Sequence, residues 1–231
     1  NASAVIAAIG VTSTKSFVDL ERQIIKVQTI SNDGFGTISD NVRNLATSTG
    51  TSVNDITEAL YQTVSAIGDV AGKYEVLTTA NKLAIGGFTN TTNAVDVLTT
   101  VINAYKMEAT DAVKISDLLI QTQNKGKTTV DLLASSLGNV IPTAAATGVS
   151  FEQLSTAMAL ITSNGIGTAE SATALNAMFN ELAKNTTEAS KAFRKASGMG
   201  FVEYMKAGGD LGDALMILKE QADKTGDSLL D

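Results

Sequence analysis

Gly148-Val149-Ser150-Phe151-Glu152-Gln153-Leu154 (GVSFEQL) decides the fold of this chain. A glycine has no Cβ and accepts the left-handed conformation that ends many helices, so Gly148 predicts a stop. Two residues on, Ser150 can accept a hydrogen bond from a free N–H of the next helix. Gln153 stands where a capping box is completed, and Val149 with Leu154 makes a hydrophobic staple across the start. One helix ends and another begins within this short run.

Outward from it the same punctuation recurs, and apolar residues return every three or four positions rather than in alternation. A first helix is expected from about Ser13, with Phe17, Leu20, Ile24, Val27 and Ile30 on one stripe. A second covers Ile38 to Ser48, turns Ile38, Val42 and Leu45 inward, and stops at Gly50. Ser52, with Asp55 three residues on, starts a third that groups Ile56, Ala59, Leu60 and Val64 before Gly68. Helices over Val70 to Ala84 and Asn90 to Lys106 follow, the latter carrying the broadest stripe: Ala94, Val97, Leu98, Val101, Ile102 and Tyr105. The pattern continues through Val113, Leu118 and Leu119 to Gly126, then over Thr128 to Thr147 around Leu132, Leu133, Leu137 and Ile141. Pro142, the single proline, is expected to bend or break that helix. Beyond GVSFEQL come helices from Thr168 (Ala172, Leu175, Met178, Phe179, Leu182), over Thr187 to Ser197, Phe201 to Ala207, and Asp210 to Lys224. The expectation is an all-α chain of about eleven helices, a multi-helix bundle or stacked helical hairpins without a sheet. Residues 1–231 read as one helical region with a sub-boundary near 86–90, where Gly86-Gly87 separates two helices. GTSVNDITEAL (Gly50 to Leu60) echoes GVSFEQLSTAM (Gly148 to Met158), which shared capping grammar explains as well as duplication does.

Composition narrows function by subtraction. The 231 residues include no Cys and no His, which excludes a disulfide framework, thiolate chemistry, imidazole ligands and His-based triads. A net charge of -7 argues against a general surface for nucleic acid or anionic membrane, since clustered Lys and Arg drive such binding. The longest apolar run, Ala4 to Val11, is far short of the ~20 residues that span a bilayer. Opening on Asn1 and closing on Leu229-Leu230-Asp231, the chain is expected to be a piece of a longer protein.

Three strings invite a chemical reading. Asn124 to Thr129 (NKGKTT) has the tail of a phosphate loop, but Gln121 stands where the first glycine belongs and a helix leads in where a strand is required. Gly126 is better read as a helix cap. Glu170-Ser171 matches the pair at the catalytic helix of lytic transglycosylases, yet Ala172-Thr173-Ala174-Leu175 continues as an ordinary helix. A first-turn Glu is favoured by the helix dipole in any case. Lys184, Lys191, Arg194 and Lys195 form a basic cluster, and the interleaved Glu181 and Glu188 make it a face of surface ion pairs. The methionines, Met107, Met158, Met178, Met199, Met205 and Met216, read as core filler. No residue is assigned a catalytic, cofactor-binding or metal-binding role, and no cofactor is expected.

The order of segments carries one more signal: Val42 to Gly68, Leu98 to Ile120, Leu132 to Leu182 and the late Leu211 to Gln221 helix. It resembles the shared region of bacteriophage tail tape measure proteins, most specifically in Pro142 to Ser150 (PTAAATGVS), Asn164-Gly165-Ile166 and Ala172 to Leu175. Departures are Ala66-Ile67-Gly68, where that family has Ala-Gly, and the start of the Phe201 segment. The resemblance implies a structural tail-assembly protein of a phage or prophage, not an enzyme. It would help determine tail length as the tube polymerises, reside in the tube lumen of the virion, and leave with the DNA. Implied partners are the tail tube protein, assembly chaperones and distal tail or baseplate proteins, with self-association also compatible and direct nucleic-acid contact by this segment not expected. A helical-repeat scaffold or adaptor and a peptidoglycan-cleaving domain using Glu170 are the alternatives. One continuous helix of this chain would reach roughly 350 Å at ~1.5 Å per residue, but its frequent caps predict helices folded back on one another.

Overall fold

The computed structural model describes residues 18–225. Among these, every regular element is helical: α1 (18–28), α2 (Phe35–Thr49), α3 (Val53–Ile67), α4 (Lys73–Gly86), α5 (Thr91–Tyr105), a 3-10 turn (Ala109–Asp111), α6 (Ala112–Lys125), α7 (Val130–Ser136), α8 (Val140–Thr147), α9 (Phe151–Ser163), α10 (Thr168–Ala183), α11 (Glu188–Ser197), α12 (Phe201–Lys206) and α13 (Leu211–Thr225). The all-α expectation holds and the helix count is close to the one read from sequence. The expected start near Ser13 and the contribution of Phe17 lie outside the described residues.

Two compact units divide the chain. The first takes the described residues up to Ile102 together with Glu108–Ser116; the second takes Asn103–Met107 and the described residues from Asp117 onward. In the first, Leu20, Ile24 and Val27 of α1, Ile38 and Val42 of α2, Ile56, Leu60 and Val64 of α3, Leu77 and Leu83 of α4, and Leu98 of α5 are buried. Those of α1, α2, α3 and α5 belong to the stripes read from the sequence. At the centre the fully buried Asn81 amide accepts hydrogen bonds from Thr51 (3.0 Å) and Thr91 (3.0 Å) and donates one to Thr49 (2.8 Å). A buried amide with its valences met joins the end of α2 and the start of α5 to α4 with little net penalty.

The second unit is organised around the GVSFEQL junction. Gly148 has φ +88°, and a Cβ there would lie 2.9 Å from Lys206 Cγ and 3.2 Å from Met205 Cβ, so both conformation and space require glycine. Ser150 Oγ accepts from the Gln153 N–H at 3.2 Å, and Val149 and Leu154 are both fully buried. The second half of the expected capping box is not made. Gln153 Oε1 has no partner, and Nε2 donates instead to the Gly209 carbonyl (3.2 Å), because a tertiary acceptor lies within reach of the side chain. The same cap geometry opens α3, with Gly50 at φ +73° and Ser52 Oγ accepting from the Asp55 N–H at 3.1 Å.

The remaining differences have local causes. The expected Thr128 to Thr147 helix is two helices, separated by a turn at 137–139. Pro142 lies in the first turn of α8, where a missing N–H leaves no intrahelical bond unmade, so it does not itself make the break. Val113 and Leu132 continue the apolar pattern but are 49% and 47% exposed, because Ala112, Ile115, Val130 and Leu133 take the inward positions. Met158 and Met205 are core residues, whereas Met216 is largely exposed. Between α4 and α5 the left-handed residue is not Gly86 or Gly87 but Phe88 (φ +55°), at a strain of ~1 kcal/mol.

Candidate functional site

The strings flagged in the sequence resolve into packing and surface features. The Gly126 N–H is bonded to the Thr122 carbonyl at 2.9 Å, and a Cβ at Gly126 would fall 2.3 Å from Thr162 Oγ1 and 3.1 Å from Ala159 Cα. The glycine serves the close approach of the end of α6 to α9, not a phosphate cradle, which needs free N–H groups. Thr128 Oγ1 accepts from Thr168 Oγ1 at 2.8 Å, and the Val130 N–H is taken by Gln123 Oε1 (2.8 Å). Gly126→Ala is therefore expected to cost about 1–3 kcal/mol in urea unfolding, through overpacking against Thr162. A neutral outcome would show that the approach is not tight.

Glu170 and Ser171 diverge. Glu170 is exposed in the first turn of α10, whereas Ser171 is fully buried and its hydroxyl donates to the Gly167 carbonyl at 2.9 Å. The pair does not converge on a substrate. In the basic cluster Lys184 pairs with Glu181 (2.8 Å), Lys191 pairs with Glu188 (2.7 Å), and Arg194 donates to Asn185 Oδ1 (2.6 Å), all at exposed positions. Exposed pairs of this kind contribute little to stability.

Among the described residues, the one inward charge cluster escaped the sequence reading. Lys73, at the start of α4 in the first unit, is 6% exposed, and its ammonium lies 2.8 Å from Asp33 Oδ2 and 3.1 Å from Ser31 Oγ, with Asp69 as a further short contact. Tyr74 OH donates to Asp33 Oδ2 (2.7 Å), while the Asn32 N–H (2.8 Å) and Nδ2 (2.9 Å) donate to Asp69 Oδ2. Hydrogen bonding from Lys73, then from the Asn32 N–H, holds the Asp69 carboxyl well below the usual range. Lys73 and then Tyr74 lower that of Asp33. Burial pulls the Lys73 ammonium down, but Asp33 and Asp69 outweigh it and raise it. Burial, then the hydrogen bond to Asp33, raises the Tyr74 phenol. With both carboxylates sharing the one ammonium and taking further hydrogen bonds from Tyr74, Asn32 and Ser31, the cluster ties the α1–α2 loop to α4 and does not resemble a poised acid or base. The i, i+4 spacing of Asp69 and Lys73 was the only local hint.

Two surface features stand apart from the core. In the second unit a groove of about 260 Å³ runs between α6 and α9. Thr122, Ser155 and Ala159, all nearly buried, form its floor, while Leu118, Leu160 and Lys125 stand around it. In the first unit Phe88 is 82% exposed beside Ile85, itself 55% exposed. Among the described residues no helix is long and apolar enough to cross a membrane.

A protein of Clostridium phage phiCD119, described as a probable tape measure protein, is 32% identical over 98% of this chain. The chain spans about a quarter of that relative, 26% of its length. No solved structure matches. The family model described as phage-related minor tail protein matches residues 39–229, so the chain belongs to the phage-related minor tail protein family.

Proposed function

We propose that this chain is a folded helical segment of a tail tape measure protein, which resides in the tail tube lumen and helps set tail length as the tube polymerises. It then leaves with the DNA at ejection. The observation that carries this reading is the likeness to a probable tape measure protein along nearly the whole chain. The match to the phage-related minor tail protein family over residues 39–229 supports a structural rather than an enzymatic role. Tail tube protein, assembly chaperones and distal tail proteins are its partners in this reading.

A ruler works through length per residue. Among the described residues the longest helix, α10, has 16 residues and extends only about 24 Å at ~1.5 Å per residue. We therefore place the extended ruler in the parts of the parent beyond this segment. Residues 35–206 are to be deleted in frame from the parent gene, and duplicated in a second strain, with tails measured by electron microscopy. Deletion is expected to shorten tails, and duplication to lengthen them, by much less than the ~260 Å those residues would span as one helix. Unchanged length in both strains removes the measuring role, and a change of the full span removes the folded placement.

A further inference from the structure

The α6–α9 groove holds a nearly buried hydroxyl that bonds to nothing. Of the Ser and Thr side chains lining the groove, those of Thr122, Thr156 and Ser163 donate to carbonyls of their own helices, at Leu118 (2.8 Å), Glu152 (2.8 Å) and Leu160 (2.8 Å). A helical serine commonly does the same with the carbonyl four residues back, which for Ser155 is that of Phe151. That bond is not made. Among the described residues the Ser155 hydroxyl has no hydrogen-bond partner, although Ser155 is only 6% exposed. A polar group left unmet in so sheltered a place is costly, so a ligand atom that bonds to it gains more than one bonding at an open surface.

The rest of the lining says what kind of atom that is. Lys125 is the single charged residue of the groove, and among the described residues neither it nor Gln121 has a side-chain partner. The two are four apart on α6 and share a face. An ammonium, an amide and a hydroxyl can all donate, and with no Asp or Glu in the lining they suit an oxyanion. Lys125 falls in the last turn of α6, at the negative end of the helix dipole, which favours a single negative charge over a phosphate dianion. Leu118 and the 64% exposed Leu160 add apolar surface beside the polar floor. The volume of about 260 Å³ lies below the ~300–1,000 Å³ of sites that enclose a whole small molecule. It has room for a side chain.

We propose that the α6–α9 groove is a docking site for an acidic segment of another polypeptide. One Asp or Glu carboxylate of that segment bonds to Ser155 Oγ and pairs with Lys125, while neighbouring aliphatic side chains rest on Leu118 and Leu160. The site lies within the second unit, and the inference does not depend on the tail-length reading.

Amide NMR of the isotope-labelled chain tests it by titration with three capped peptides: Ala-Leu-Glu-Leu-Ala, and the same sequence with Gln or Lys in place of Glu. The Glu peptide is expected to shift amides of α6 and α9 and to bind about tenfold more tightly than the Gln peptide, because charge-assisted hydrogen bonds are the stronger kind. The Lys peptide should not bind. Ser155→Ala and Lys125→Met should each weaken the Glu peptide about fivefold or more, with the dispersion of the spectra as the control for folding. Lys127→Met, at an exposed lysine outside the lining, should leave its affinity unchanged. Failure of the Glu peptide to bind overturns the proposal, as do equal affinities for the Glu and Gln peptides or wild-type binding by either groove variant. So does an equal loss on Lys127→Met, or displacement of the Glu peptide by an equal concentration of inorganic phosphate.

Discussion

Phe193→Ala is expected to destabilise the second unit by about 4 kcal/mol and to release α11 before the rest of that unit unfolds. Phe193 is fully buried, with its ring 5.6 Å from Phe201 and 5.5 Å from Tyr204, both edge-on. Phe201 in turn stacks on Phe179 at 6.4 Å. Truncation loses transfer energy, opens a cavity and removes two ring contacts, each worth ~0.5–1.5 kcal/mol beyond area. The local effect follows from how α11 is held, since Ser190 and Phe193 are its buried residues. Hydrogen exchange read residue by residue should show amides 188–197 losing protection first, while urea titration gives the global loss. Phe193→Leu, closer in volume, should cost less than ~1.5 kcal/mol. Wild-type protection of α11 in the alanine variant would show that the ring does not anchor the helix.

What the sequence discloses and conceals follows from the range of each interaction. Ser52, Ser150 and Thr187 were legible as helix starts because a cap bonds only to the N–H three residues on, at Asp55, Gln153 and Ser190. The buried stripes were legible for the same reason, as helical periodicity is local. Gly126 was read correctly as a cap, but the contact with Ala159 and Thr162 that forbids a side chain there joins distant positions. Gly86-Gly87 marked the end of α4, yet nothing local showed that the left-handed conformation would fall on Phe88. Periodicity names a helix face but not the width of its neighbour, which is why Leu132 and Met216 remain outside. The plain helix that Ala172 to Leu175 continue was legible for the same local reason.

Replacing Lys73 with methionine should cost the first unit about 3 kcal/mol at neutral pH and remove most of its sensitivity to acid. Methionine keeps the apolar stem, so the loss falls on the ammonium and on Asp33 and Asp69, which beside Lys73 are only 29% and 17% exposed and would lose their cation. The pH dependence has a definite sign. Both carboxyls have folded-state pKa values below the ordinary 3.8, so they contribute stability above that value and lose it as pH falls through the lowered values. Wild-type unfolding free energy should therefore decline from about pH 5 downward. The variant starts lower and declines less, because the hydrogen bonds from Lys73 are the leading cause of both shifts. At the alkaline end the order reverses. The Lys73 pKa is raised above 10.5, so its contribution is complete below that value and is lost as pH rises through the folded-state pKa. Urea titrations at pH 7 and pH 3 measure the acid arm. A triple variant, Asp33→Asn, Asp69→Asn and Lys73→Met, separates the cost of stranded charge from the worth of the cluster, because it leaves no unpaired ion. It should be more stable than Lys73→Met alone at pH 7. Were the single variant to keep the wild-type acid slope, or the triple variant to fall below it, the cluster would not be the electrostatic tie between the α1–α2 loop and α4.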